Sequence, residues 1–318
     1  MRLRRLRKSP RIREVFADTE IRTNKLIMPM FVDENLSKPE EIKNMPDIYR
    51  FPLRKLVDKA KEYDDLGVKS ILLFGVPKHK NGTGSASYDK EGIVQRAVRE
   101  VKRETDLAVF TDLCLCEYTD HGHCGLIKGK KIDNDSTIEI YAKIAKSYAE
   151  AGVDGVAPSG MMDGQVKRIR KELDLSGFEE TLIMAYSAKF SSSMYAPFRE
   201  AVFSTPSFGD RRTYQMGYSG IREAIREMEL DIEEGADAIM VKPALFYLDI
   251  IREARNSFLL PIAAYNVSAE YSMIKSAAKN GIIDLDPVVD ESLNAIFRAG
   301  ADIVISYFTE YLMKRRKS

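Results

Sequence analysis

The chain has 318 residues, 44% of them hydrophobic, enough to bury one large core or two modest ones. Its 49 Lys and Arg against 48 Asp and Glu leave a net charge of +1, so no global field draws nucleic acid or membrane to it. No apolar run reaches transmembrane length, and three cysteines are too few for a disulfide framework, which makes a cytoplasmic setting the expectation.

The basic opening MRLRRLRKSPRIREVF is poor in serine and runs directly into domain-like sequence. Residues 1–23 therefore read as a surface arm that packs on a neighbouring subunit, in preference to a transit peptide. No low-complexity linker follows, so residues 24–318 are expected to form a single domain.

Eight candidate strands come next. They are NKLIMPMFV (24–32), DDLGVKSILLFG (64–75), DLAVFTDLC (106–114), AEAGVDGVAPSG (149–160), TLIMAYSA (181–188), EEGADAIMVKPA (233–244), LPIAAYNVS (260–268) and RAGADIVISYF (298–308). Four of them share one signature: a helix tail, a glycine suited to the left-handed position that ends a helix, then a β-branched run. Between the strands lie stretches such as GIVQRAVREVKRE and TIEIYAKIAKSYAEA, with apolar residues at three- and four-residue spacing. Eight alternating strand–helix units predict a closed (β/α)8 TIM barrel with an extended N-terminal arm. No GxGxxG opens a helix after the first strand, which disfavours a dinucleotide fold.

In such a barrel, chemistry belongs at the C-terminal ends of the strands. The third strand delivers Asp112 and then all three cysteines, Cys114, Cys116 and Cys124, in DLCLCEYTDHGHCG. Thiolates clustered beside His121 and His123 suit a soft divalent metal. On the motif alone, a closed Cys3His knuckle and a three-thiolate site with one open, catalytic position stand equal. The fourth strand ends in Ser159, the fifth in Tyr186 and Lys189, the sixth in Lys242, the seventh at Ser268 and the eighth at Tyr307. Helix caps account for single residues such as Ser159 or Ser268, and a salt bridge for a single lysine. Two lysines on adjacent strand ends point instead to Schiff-base chemistry, because a neighbouring ammonium lowers the pKa of its partner and frees an amine to attack a ketone.

The segment KFSSSMYAPFREAVFSTPSFGDRRTYQMG (189–217) is too long for a plain connection and reads as a lid. Arg199, Arg211, Arg212 and Gln215 in it are not spaced as a helical stripe, and guanidinium forks suit a carboxylate. One of the adjacent pair Arg211 and Arg212 is also explained as a solvated residue. The residues thus point to metal- and lysine-dependent condensation or cleavage of a keto acid. A class I-type aldolase would share the barrel and the lysine but has no use for three clustered thiolates. A zinc-stabilised interaction protein would explain the cysteines but not the lysines.

DLCLCEYTDHGHCG, APSGMMDGQV, YSAKFSSSMYAPFR, FGDRRTYQM and MVKPALFYLDIIRE, in this order, resemble the porphobilinogen synthase (5-aminolevulinate dehydratase) family, and the likeness runs from RLRRLR to ISYFTEYL. The resemblance implies condensation of two 5-aminolevulinate molecules to porphobilinogen with loss of two waters, an early step of tetrapyrrole (haem) biosynthesis. It implies Lys242 as the Schiff-base lysine and Lys189 as its active-site partner. It implies Cys114, Cys116 and Cys124 as ligands of a catalytic zinc, with both histidines reduced to neighbours. Arg199, Arg211 and Gln215 would hold one substrate carboxylate and Ser268 and Tyr307 the other, with Asp112 and Ser159 lining the pocket. A homo-octamer of arm-embracing dimers is implied as well.

Three positions depart from, or vary within, the family pattern. Thr213 stands where some members carry a cysteine that, with a histidine such as His123, binds a further zinc, so that site is expected to be weak or absent. Gly160 stands where some members carry aspartate. In IREAIREMELD, Glu227 matches a glutamate that binds an allosteric magnesium in many bacterial and plant members; an ordinary surface carboxylate is the equal alternative.

Overall fold

The computed structural model describes residues 1–317. Eight parallel strands close on themselves: β1 Leu26–Asp33, β2 Ser70–Val76, β3 Ala108–Leu113, β4 Gly155–Pro158, β5 Leu182–Lys189, β6 Ala238–Lys242, β7 Ile262–Asn266 and β8 Ile303–Ser306. Closure is made by β1, which pairs with β2 along seven positions and with β8 at Leu26↔Val304 and Ile27↔Ile305. Each expected strand is present, and the barrel is the expected TIM type.

The strands are buried on both faces, as parallel strands roofed by helices must be. All eight residues of β1 are buried. The outer ring is amphipathic: the helix Ile93–Glu104 turns Ile93, Val94, Ala97, Val98 and Val101 inward at three- and four-residue spacing. The expected glycine signature appears at Gly67, where the helix Leu53–Leu66 ends with φ +93° and the Gly67 and Val68 amides return to the Asp64 and Tyr63 carbonyls.

Before the barrel, a 3-10 turn (Leu3–Arg7) and a short helix (Pro10–Val15, capped by Ser9) leave Leu3, Val15 and Phe16 exposed. At the opposite end of β1, the buried Asp33 carboxylate pairs with Arg50 at 2.9 Å; Arg50 sits on a short strand, Tyr49–Phe51, that continues the sheet.

The long connection after β5 leaves and returns at one place. Phe190 bridges Met216, the Ser191 amide donates to the Met216 carbonyl at 2.8 Å, and the Met216 amide donates to the Lys189 carbonyl at 3.2 Å. Between those feet lies a short helix, Ala196–Ala201, so the expected lid is a compact loop with its ends together.

Candidate active site

The two lysines are the last residues of β5 and β6 and are paired in register, Lys242 with Lys189. Both are buried, at 5% and 4% exposure. The Lys242 ammonium nitrogen lies among four rings, 4.2 Å from the centroid of Tyr265, 5.0 Å from Tyr186, 5.2 Å from Phe198 and 5.3 Å from Tyr195. Its backbone carbonyl accepts from the Tyr195 hydroxyl at 2.9 Å and the Phe190 amide at 3.0 Å. The Lys189 ammonium donates to the Ser159 carbonyl.

Burial pushes the pKa of Lys242 down to about 7, with the Lys189 charge as the second cause. Desolvation by the aromatic cage and barrel wall is the larger effect, and the neighbouring ammonium the smaller. Asp112, at the end of β3, accepts from the Ser159 hydroxyl at 3.1 Å. Burial, then the nearby Glu117, pushes its carboxyl up to about 8, against the pull of both lysines. Both groups are thus moved toward their neutral forms near pH 7.

Cys114, Cys116 and Cys124 are buried and free, and their three sulfur atoms lie within 4.8 Å of one another. Hydrogen bonds from Cys114 and Cys116 hold the Cys124 thiol well below its ordinary range, while burial pushes Cys114 up. Three convergent buried sulfurs fit a soft divalent ion such as zinc. Neither histidine completes the set. His123 uses one ring nitrogen on the Tyr214 hydroxyl and the other on the Phe208 carbonyl, both at 3.0 Å. His121 receives the His123 amide at 3.1 Å and faces the Gly82 carbonyl at 3.4 Å. A Cys3His knuckle is not formed, and among the described residues the only clustered metal-ligand set is the three cysteines.

The lid brings Arg199, Arg211 and Gln215 to this end of the barrel with polar atoms unspent. Arg199 Nε, Arg211 Nε and both amide atoms of Gln215 are buried without a partner. The three N–H groups call for oxygen acceptors on a ligand, and Gln215 Oε1 for a donor. Arg211, 4% exposed, is anchored through Nη2 to the Gly122 carbonyl at 2.8 Å and the Ser204 carbonyl at 2.6 Å, whereas Arg212 is exposed, which separates the adjacent pair. Ser268 and Tyr307, which follow β7 and β8, are buried. The Ser268 hydroxyl accepts from the Phe198 amide at 3.1 Å and faces the Met194 carbonyl at 3.3 Å; Tyr307 meets the Tyr265 hydroxyl at 3.1 Å.

Glu227 lies elsewhere, half-buried on the helix Ile221–Glu233. It lines a cavity of about 250 Å³ with Asp163, Glu223, Arg212 and Thr213, and its carboxyl is raised first by burial and then by Asp163 and Glu223. Gly160 has a steric reason: a Cβ there would lie 1.8 Å from the hydroxyl oxygen of Tyr141, which donates to the Cys124 carbonyl.

Two features escaped the sequence. The cage residues Tyr195, Phe198 and Tyr265 looked like lid and core residues. Glu117, inside the cysteine motif, is buried with one oxygen 3.3 Å from the Cys116 sulfur and the other without a partner; a carboxylate between two buried apolar positions was its available signal.

Residues 1–315 match the family model described as delta-aminolevulinic acid dehydratase. The chain is similar to the delta-aminolevulinic acid dehydratase of Methanothermus sociabilis, 53% identical over 313 residues and 98% of each chain. It is 52% identical over 316 residues to that of Archaeoglobus fulgidus, covering 99% of this chain and 98% of the relative. The solved structure of delta-aminolevulinic acid dehydratase (porphobilinogen synthase) from Toxoplasma gondii ME49, in complex with the reaction product porphobilinogen, superposes with a TM-score of 0.97 at 39% identity, covering 99% of this chain and 91% of that one.

Proposed function

The chain belongs to the delta-aminolevulinic acid dehydratase family, and from that premise we propose how its residues carry out the condensation of two 5-aminolevulinate molecules to porphobilinogen with loss of two waters. The observation that carries the assignment of roles is the register pair of buried lysines, one of them caged by aromatic rings, at the mouth that also holds the three sulfurs.

Lys242 is the nucleophile. As a free amine it adds to the ketone carbon of the first substrate; the oxygen leaves as water and a protonated imine remains. That cation withdraws electrons and acidifies the neighbouring carbon, so a carbon–carbon bond can form there. Lys189 keeps its partner's pKa low and faces the second substrate. Asp112, buried and hydrogen-bonded to Ser159, moves protons between the lysines and the reacting atoms. Arg199, Arg211 and Gln215 take one substrate carboxylate; Ser268 and Tyr307 take the other, and the two clamps turn a bimolecular reaction into an oriented one. The lid keeps water from imines that would otherwise hydrolyse.

Cys114, Cys116 and Cys124 would hold zinc, which when bound supplies a Lewis acid for the second substrate's carbonyl or amine. The all-sulfur donor set supports zinc over magnesium. Glu227, in a cavity with Asp163 and Glu223, is the residue that would take a regulatory magnesium, although the three carboxylates do not converge as the sulfurs do. The exposed Leu3, Val15 and Phe16 support an arm, residues 1–23, that wraps a second copy of the chain, in dimers that assemble to a homo-octamer. Three reduced cysteines support a cytoplasmic setting, and among the described residues no helix is long and apolar enough to cross a membrane.

The test is incubation with 5-aminolevulinate and an aldehyde colour reagent for pyrrole, with and without a chelator. Pyrrole that forms with zinc and stops on its removal is expected. No pyrrole with zinc supplied would overturn the reading, and activity that survives complete zinc removal would overturn the catalytic metal alone.

A further inference from the structure

Three consecutive carbonyl groups of the lid, those of Val202, Phe203 and Ser204, are each held by a cation. The Lys80 ammonium donates to Val202 at 3.0 Å and to Phe203 at 2.9 Å, and Arg211 donates to Ser204 at 2.6 Å. The middle residue is strained: Phe203 has φ +51°, a region bulky side chains rarely enter. Such a backbone persists only where its surroundings over-determine it. Here the Arg50 guanidinium lies 4.7 Å over the Phe203 ring, and the Ser204 amide donates to the Arg199 carbonyl at 2.9 Å.

Lys80 differs from the other cations at this turn. Arg50 is committed to Asp33 and Glu40, and Arg211 also to Gly122. Lys80 is half-buried on the loop after β2, and among the described residues it makes no ion pair; its recorded hydrogen bonds go to the lid alone. It holds the backbone of this turn from outside the lid, where Arg50 meets only the Phe203 ring. The turn lies between Arg199 and Arg211 in the chain and is hydrogen-bonded to both, so its position sets theirs.

We propose that Lys80 is a positioning residue: it pins the Val202–Ser204 turn and so places the Arg199 and Arg211 guanidinium groups for a substrate carboxylate. The proposal rests on the reading of those arginines as a carboxylate clamp. Lys80 touches no reacting atom. Its loss should loosen substrate binding and lid closure while leaving the amine of Lys242 as reactive as before.

The experiment compares wild type, Lys80→Met and Lys80→Arg by three readouts. Without substrate, tryptic cleavage after the exposed Arg212 should be several-fold faster in Lys80→Met. KM for 5-aminolevulinate should rise about tenfold at little change in kcat, the pattern of lost uniform binding. The rate at which cyanoborohydride traps a first substrate on Lys242 should stay at the wild-type value. Lys80→Arg, which keeps the charge and the donors, should recover most of the KM and of the protease resistance. Cleavage and KM equal to wild type in Lys80→Met, or no recovery in Lys80→Arg, would overturn the proposal. The clamp reading fails separately: Arg199→Ala and Arg211→Ala with unchanged KM would remove it, whatever the cleavage rates in Lys80→Met.

Discussion

Lys242 and Lys189 face each other across a parallel register on neighbouring strands, so the separation of their backbones is set by the sheet and not by a loop. Two amines in one dry mouth cannot both hold a proton cheaply. Burial and the neighbouring charge together push the pKa of Lys242 down to about 7, which suits the proposed role of a free amine at neutral pH.

The first prediction concerns pH. Lys242 titrates at about 7, and only its neutral form attacks a ketone. Trapping of substrate on Lys242 should thus fall roughly tenfold per unit below pH 7. Lys189→Met removes a like charge, raises the Lys242 pKa and moves the acid limb to higher pH. Asp112→Asn removes a carboxylate that favours the ammonium and moves it to lower pH. The second shift should be smaller, because Asp112, pushed up to about 8, is mostly protonated there. Limbs that do not move, or move together, would contradict this account.

Zinc content separates the cysteines from the histidines. Cys124→Ala should lower zinc affinity by more than the ~100-fold that loss of an outer partner costs. His123→Ala should leave one zinc per chain bound, since both ring nitrogens are spent on Tyr214 and Phe208. Metal released to a colorimetric indicator during chelator competition measures both. Equal loss in the two variants would restore the histidine as a ligand.

Gln215 offers a contrast between stability and binding. Its amide is buried with neither atom paired, so Gln215→Leu should leave thermal stability unchanged or raise it by about 1 kcal/mol. The same variant should raise KM for 5-aminolevulinate about tenfold or more, because the substrate loses a partner. A fall in melting temperature with unchanged KM would make Gln215 a packing residue.

Gly160 marks a tight contact behind the three cysteines. Gly160→Ala drives Cβ into Tyr141 and should cost about 1–3 kcal/mol, with weaker zinc binding because Tyr141 holds the Cys124 carbonyl. Adding Tyr141→Ala should recover part of the stability loss, though not the zinc affinity. Thermal melts with a zinc titration decide; no destabilisation in the single variant would mean Tyr141 swings away freely.

The barrel was legible because each strand carried its own local mark, a helix-ending glycine or a β-branched run, and eight such marks leave little choice of architecture. Cys114, Cys116 and Cys124 were legible for a similar reason: they lie in one short stretch, and a strand end delivers them together. The cage around Lys242 was not, because Phe198 and Tyr265 come from segments far apart in the chain and aromatic residues in a lid or a strand ordinarily signal packing. Lys80 was invisible for a different reason. Its partners are backbone carbonyls, which carry no side-chain signature. The order of causes at Lys242 also required the structure, since sequence reports which charges are near but not how much water is excluded.

The feet of the lid, Phe190 and Met216, are bridged to each other, and the Met216 amide is tied to the carbonyl of Lys189. The two ends of that loop meet in one short seam, yet its middle also holds the barrel wall, where the Tyr195 hydroxyl donates to the Lys242 carbonyl. Because the same loop lends Tyr195 and Phe198 to the cage around Lys242, any opening of it would let water back to that amine, so access and reactivity share residues.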